Sequence, residues 1–307
     1  MLLENPVQNQ WLDHPLFEEK EVEVAIKRLD LIHPVISGNK FYKLNYNLEE
    51  ALKTNKNIIL TFGGAYSNHI SAVALAAKVA GLKSIGIIRG EKVMPLNPTL
   101  EEAESNGMHL HFISRESYRN KTQPDFMEEL KSQFDDFYLI PEGGTNALAI
   151  QGTNEILKET DSIFSHIFTP IGTGGTFAGL SKSLEKGQNL LGVSSLKGKF
   201  IHSEIENLLT QYDISPKGNF KILDQYHFGG YAKYNQELIE FIWSFFEDFG
   251  IILDPIYTSK MAFAAWDLVA TNHFSKGSKI LLLHTGGLQG NKGFTNRTGI
   301  KLPDFSE

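Results

Sequence analysis

Cysteine is absent from the 307 residues, which excludes disulfides, thiolate metal sites and a cysteine nucleophile. No apolar run reaches transmembrane length, and Met1-Leu2-Leu3-Glu4-Asn5 lacks the basic and apolar regions of a signal peptide. Cytoplasm is the expected compartment. Basic charge is in short supply: 29 Lys and Arg stand against 36 Asp and Glu, a formal charge of -7. With no basic block to reverse that balance, neither nucleic acid nor a membrane surface is an expected partner. Repeats, low-complexity tracts and linkers are missing too. His109 and His111 alternate along one strand, but no third ligand has a matching spacing, so no metal is expected. A Gly-x-Ser-x-Gly elbow, the mark of many serine hydrolases, occurs nowhere.

What the chain does have is short β-branched runs alternating with amphipathic segments, the pattern of an α/β protein with parallel sheets flanked by helices. Strands are predicted at 57–62, 84–88, 109–113, 137–140, 166–171 and 279–284. Helices are predicted at 68–80, 98–105, 125–134, 149–159, from 177, and at 235–249 and 259–272. Residues 187–224 show no clear period. Ligands of such sheets bind at the carboxyl ends of the strands, which selects the loops starting at Gly63, Gly143, Gly172 and Thr285.

Four segments carry chemistry. In Ser37-Gly38-Asn39-Lys40-Phe41-Tyr42-Lys43-Leu44, Asn39 is a suitable N-cap and Phe41, Leu44 and Leu48 follow at helical spacing. An ammonium at Lys40 would face the positive end of the helix dipole, which favours the neutral amine that attacks carbonyls. For this tetrapeptide alone a surface lysine is the better reading; the other glycine-rich turns change that. Gly172-Thr173-Gly174-Gly175-Thr176 follows a strand and opens a helix, so its N–H groups can converge on a phosphate. It lacks the Gly-Lys-Ser/Thr ending of a P-loop, and Phe177 takes the place of the third glycine of a dinucleotide fingerprint. Gly63-Gly64-Ala65-Tyr66-Ser67-Asn68-His69 repeats the geometry, with Ser67 either a plain cap or part of a carboxylate site. Tyr257-Thr258 and Thr285 end apolar stretches, and their hydroxyls could equally satisfy nearby backbone. His69, His227 and His284 lie near these loops and are weaker candidates.

Taken in order, the segments resemble pyridoxal-phosphate enzymes of the tryptophan synthase β type. Within these the chain is similar to the D-cysteine desulfhydrase and 1-aminocyclopropane-1-carboxylate (ACC) deaminase family, from about Ala25 to Gly290. The Lys40 segment resembles Gly-Gly-Asn-Lys-x-Arg-Lys-Leu, whose first lysine forms the Schiff base; Lys43 is the runner-up. The Ser67 segment resembles Gly-Gly-x-Gln-Ser-Asn-Gln, which binds the substrate carboxylate. Gly172, Thr173, Gly174, Gly175 and Thr176 resemble the phosphate loop, and Tyr226 to Tyr231 with Leu253 to Lys260 resemble segments that bring Tyr231 and Tyr257 into the pocket. Tyr66 and His69 replace the family's glutamines, and Ser37, Phe41 and Tyr42 depart from the pattern around the lysine.

The resemblance implies a fold type II enzyme. A larger cofactor-binding domain (1–44 plus 149–307) would carry an inserted smaller domain (45–148) with the carboxylate loop. It also implies pyridoxal 5'-phosphate, a small amino-acid substrate and a homodimer. Lys40 would hold the cofactor and move the α-proton. Ser67, Asn68, His69 and Tyr66 would meet the substrate, Tyr231 or Tyr257 would assist proton transfer, and Asn68, Thr258 and Thr285 would contact the cofactor. Threonine at both 258 and 285, where ACC deaminases resemble one another in having an acidic and an apolar residue, places D-cysteine desulfhydration first. The products would then be sulfide, pyruvate and ammonia. ACC deamination, D-serine dehydration and a non-catalytic ligand-binding homologue are the alternatives.

Overall fold

The computed structural model describes residues 4–33 and 36–304. Ten strands form two sheets. In chain order they are β1 (Asn9–Leu12), β2 (Glu23–Lys27), β3 (Ile58–Gly64), β4 (Lys83–Arg89), β5 (Met108–Ile113), β6 (Tyr138–Ile140), β7 (His166–Ile171), β8 (Asn189–Ser194), β9 (Asn219–Leu223) and β10 (Lys279–Leu283). The helices are α1 (Pro15–Glu19), α2 (Asn39–Lys53), α3 (Asn68–Val79), α4 (Pro98–Ser105), α5 (Arg115–Arg119), α6 (Pro124–Phe134), α7 (Ala147–Thr153), α8 (Gly175–Ser183), α9 (Phe200–Gln211), α10 (Gln236–Phe249), α11 (Thr258–Ala270) and α12 (Gly290–Thr298).

One sheet runs β1-β2-β10-β7-β8-β9 and the other β5-β4-β3-β6. Every pairing is parallel except β1 with β2. Both faces of a parallel sheet are covered, so its strands read as near-continuous apolar runs. Lys279–Leu283 (KILLL) illustrates the rule. Leu281 and Leu283 join one buried cluster and Ile280 and Leu282 another, as a period of two requires. The first cluster is continuous between the sheets, from Leu281 through Ile150 and Leu44 to Ile59 and Val73. Among the described residues no helix is long and apolar enough to cross a membrane.

Two glycines let the connecting helices approach this closely. A Cβ on Gly152 would sit 1.9 Å from the Tyr42 carbonyl oxygen, and one on Gly179 would sit 2.0 Å from Thr153 Oγ1. Helices α2, α7 and α8 therefore pack almost backbone to backbone, which fixes where α2 presents its first turn.

Three sequence readings need correction. Asn39 is the first residue of α2, not its cap; Gly38 takes the cap with φ 69 and ψ -150, and the Asn39 amide donates to Thr176 Oγ1 at 2.7 Å instead. The helix expected to reach 159 stops at Thr153. The chain then turns so that Asp161, 1 % exposed, meets Lys27 at 2.7 Å. Residues 187–224, which showed no period, contain β8, α9 and β9.

The Lys27–Asp161 pair closes on itself. Asn9 donates to Asp161 at 2.7 Å and accepts from Lys27 at 3.2 Å, and the Lys158 amide donates to Asp161 at 2.8 Å. Removing one partner leaves the other charge buried without compensation. Asp161→Ala should cost about 3–5 kcal/mol, measured as a lowered urea midpoint. A loss under about 1 kcal/mol, typical of exposed pairs, would show that the network is not a main support.

Candidate active site

The site is built where strand ends from both sheets face the first turn of α2. Gly38 makes this possible. Its N–H donates to the Leu29 carbonyl at 2.9 Å, the Asn39 N–H donates to the Thr285 carbonyl at 3.3 Å, and a Cβ on Gly38 would lie 1.9 Å from that same Thr285 oxygen. No residue with a side chain fits. The start of α2 is thereby fixed to the end of β10, and Lys40 follows at the wall of a cavity of about 730 Å³.

Among the described residues the Lys40 amine makes one hydrogen bond, to its neighbour Asn39 Oδ1 at 3.2 Å. Burial pushes its amine down to about 8, opposed by the charge of Asp254. One turn on, Lys43 is buried and donates to the Gly143 carbonyl at 2.8 Å and more weakly to Thr145 Oγ1 at 3.4 Å. Burial, and then Lys40, hold Lys43 well below the ordinary lysine range. The two lysines differ in what they are tied to: Lys43 is held by a neighbouring loop, whereas Lys40 is bonded only to its neighbour among the described residues.

The β7–α8 turn has the geometry of an anion cradle. Gly174 caps α8 with φ 80, so successive N–H groups turn inward. Thr173 Oγ1 lies 2.9 Å from Thr145 Oγ1, and the position a Gly175 Cβ would take is 3.1 Å from Lys43 Nζ. Gly172, Thr173, Gly174 and Thr176 line the cavity.

Across the cavity, Ser67 caps α3 by accepting from the N–H groups of His69 and Ile70 at 3.2 and 3.4 Å. Asn68 and His69 follow, and both carry buried atoms without a partner among the described residues, Oδ1 and Nδ1. For His69 the tautomer follows from the bonding. The Thr61 hydroxyl donates to the Ile140 carbonyl at 2.8 Å, so it accepts from His69 Nε2 at 2.8 Å and leaves Nδ1 as a bare acceptor. Burial, then Lys40 and Lys43, push this imidazole well below its usual range, so it is neutral near pH 7. Tyr66 is partly exposed at the cavity edge, under the Arg297 guanidinium at 5.6 Å.

Tyr257 packs on Gly172 and meets Tyr231 at 6.1 Å between ring centroids, edge to face. Burial raises the Tyr257 phenol well above its ordinary value, so it keeps its proton. Thr285 lines the cavity, but Thr258 does not. Thr258 is fully buried and donates its hydroxyl to Asp254 at 2.6 Å. Asp254, unmarked in the sequence reading, also accepts from the N–H groups of Ile256, Tyr257 and Thr258 at 2.8–2.9 Å. Its signal was available: an aspartate just ahead of an apolar helical run is a capping pattern.

An orphaned Asn68 oxygen, a glycine cradle beside Lys43 and a lysine with a lowered pKa suit a phosphorylated aldehyde cofactor. Comparison with known proteins agrees. Residues 11–286 match the family model described as pyridoxal-phosphate dependent enzyme, and the chain belongs to that family. It is a fold type II pyridoxal-phosphate enzyme, a lyase or deaminase of small amino acids. A protein of Pyrococcus horikoshii named putative 1-aminocyclopropane-1-carboxylate deaminase is 32% identical over 284 residues, 87% of this chain and 85% of that one. A mitochondrial protein of Arabidopsis thaliana, named bifunctional D-cysteine desulfhydrase/1-aminocyclopropane-1-carboxylate deaminase, is 30% identical, covering 87% of this chain and 73% of its own length. The solved structure of an ACC deaminase homologue superposes with a TM-score of 0.83 at 29% identity, covering 97% of this chain and 94% of that one.

The lowered amine makes a kinetic prediction. In cofactor-free protein the rate at which pyridoxal phosphate labels Lys40, trapped with borohydride, should rise with pH as the neutral amine forms and level off above about 8. An inflection near the unperturbed lysine value of about 10.4 would mean that the ammonium is solvated.

Proposed function

We propose that the chain deaminates a small amino acid to a 2-oxo acid and ammonia, with ACC as the leading substrate. The observation that carries the reading is the convergence of Lys40, the Gly172–Thr176 cradle and the Ser67–His69 turn on one cavity. The relatives' names support ACC ahead of the D-cysteine favoured by the sequence comparison. Bound, the cofactor supplies an electron sink conjugated with the substrate's α-carbon.

The residues divide the remaining work. N–H groups of Gly172–Thr176 hold the cofactor phosphate, and Ser67 with the first N–H groups of α3 orients the substrate carboxylate. Asn68 Oδ1, buried without a partner among the described residues, and Thr285 on the cavity wall would supply polar contacts to the cofactor. A substrate with an α-hydrogen would give it to Lys40 Nζ, an amine on the cavity wall whose lowered pKa suits a general base. ACC has no α-hydrogen. Its ring must open at the bond from the α-carbon to one methylene, which gains a proton while the other methylene loses one. The phenol of Tyr257, kept protonated by burial, is a suitable donor, with Tyr231 beside it, and the Lys40 amine on the same cavity a suitable acceptor of the second proton. D-cysteine is the second reading, favoured by Thr285, whose neutral hydroxyl suits rapid loss of a good leaving group. Residues 45–148, containing the four-stranded sheet, are proposed as the smaller domain, and the protein is proposed to act as a homodimer.

Ammonia release is the first assay, with 2-oxobutanoate or pyruvate plus sulfide identifying the substrate. ACC should exceed D-cysteine; the reverse order would promote the second reading, and no ammonia from any small amino acid would sink both. Lys40→Ala should abolish turnover, and Tyr257→Phe should lower kcat on ACC by about 100-fold or more, the scale of a positioned acid. Full activity in Tyr257→Phe would remove that residue from the chemistry.

A further inference from the structure

Lys260 is 0 % exposed and stands in the first turn of α11, one helical turn after Tyr257. No carboxylate pairs with it among the described residues; its Nζ instead donates to the carbonyls of His227 and Gly230 at 2.8 and 2.9 Å. These oxygens bracket one turn, closed by the Gly230 N–H on the His227 carbonyl at 3.0 Å. The next residue is Tyr231. Around it Phe228, Gly229, Gly230 and Ala232 hold φ of 50, 94, 119 and 53, a region that residues with a side chain rarely adopt. Such a run persists only where the surroundings over-determine it, and the buried ammonium is what the interior supplies. An apolar side chain would fill the space without orienting either carbonyl.

We propose that Lys260 is a positioning residue: through the His227 and Gly230 carbonyls it fixes Tyr231 against Tyr257 at the cavity wall. Asp254 completes the arrangement from the other side. It gathers the N–H groups of Ile256, Tyr257 and Thr258, so the start of α11 sets Tyr257 through a carboxylate and Tyr231 through an ammonium. Lys260 itself does not line the cavity. This inference rests on the reading of Tyr231 as a residue that faces substrate.

The test uses the full-length protein with two readouts. Hydrogen exchange of amides 228–232 in Lys260→Met should quicken by about 10-fold or more as the turn loses its anchor, with the Gly172–Thr176 amides unchanged. Turnover is then measured for Lys260→Met, Tyr231→Phe and the double variant. If Lys260 acts through Tyr231, the double variant loses no more kcat than Tyr231→Phe alone. Unchanged exchange, or losses that multiply, would overturn the proposal. Wild-type turnover in Tyr231→Phe would overturn the role of Tyr231, and a continued rise of exchange in Lys260→Met would show that this reading, not the anchor, had failed. Should Lys260→Met not fold, Gly230→Ala, strained at φ 119, disturbs the turn with Lys260 in place and must show the same non-additivity.

Discussion

The close approach of Gly38 to the Thr285 carbonyl is the constraint on which the site depends. It joins the first turn of α2 to the end of β10 at a distance that admits no Cβ, and Gly286 meets it with φ 73. Because α2 leads from the six-stranded sheet to the four-stranded one, this contact decides where a lysine two residues later can point. The packing of Gly152 on the Tyr42 carbonyl holds the same helix further along. Lys40 is placed by backbone contacts on both sides and needs no side-chain partner to hold it.

That freedom sets it, half-buried, apart from the buried lysines. Lys27 is neutralised by Asp161. Lys43 and Lys260 donate to backbone carbonyls of loops they hold in place. Among the described residues Lys40 has only the side-chain oxygen of its neighbour. Desolvation lowers Lys40, Lys43 and Lys260 alike, so what distinguishes Lys40 is its place on the cavity wall with a weaker set of acceptors. The four lysines show one residue type used as ion-pair member, loop staple and proposed reactive group, and they differ in the acceptors each is given.

The strand-to-helix turns were legible because their signals are local. Glycine pairs after apolar runs mark Gly63 and Gly172, Ser67 is a cap by type, and the strand 166–171 and helix 98–105 were read with the bounds observed. What was not legible depends on distant partners. Thr153 ends α7 with its hydroxyl bonded to the Ala149 and Ile150 carbonyls, and the turn beyond serves Asp161, whose partner is 134 residues earlier. Strand β9 (NFKIL) has exposed residues at its start, so its buried fraction is too short to show a period. Asn39 looked like a cap because its type fits one. Its actual partner, Thr176, is 137 residues away, and only Gly38 could adopt the cap geometry beside Thr285.

The same dependence on distant partners bears on the choice of substrate. By residue type, Thr258 and Thr285 weigh against ring opening as a pair that replaces an acidic and an apolar residue. The structure separates them. Thr285 lines the cavity, whereas Thr258 spends its hydroxyl on Asp254 and lies behind the wall. Only one of the two positions can therefore act on a bound ring directly, and half of the argument against ACC loses its physical basis. What Thr258 does affect is Asp254, and through Asp254 the backbone of Tyr257. A residue that distinguishes the two branches by type thus acts here on the backbone of Tyr257, the proton donor proposed for a substrate without an α-hydrogen.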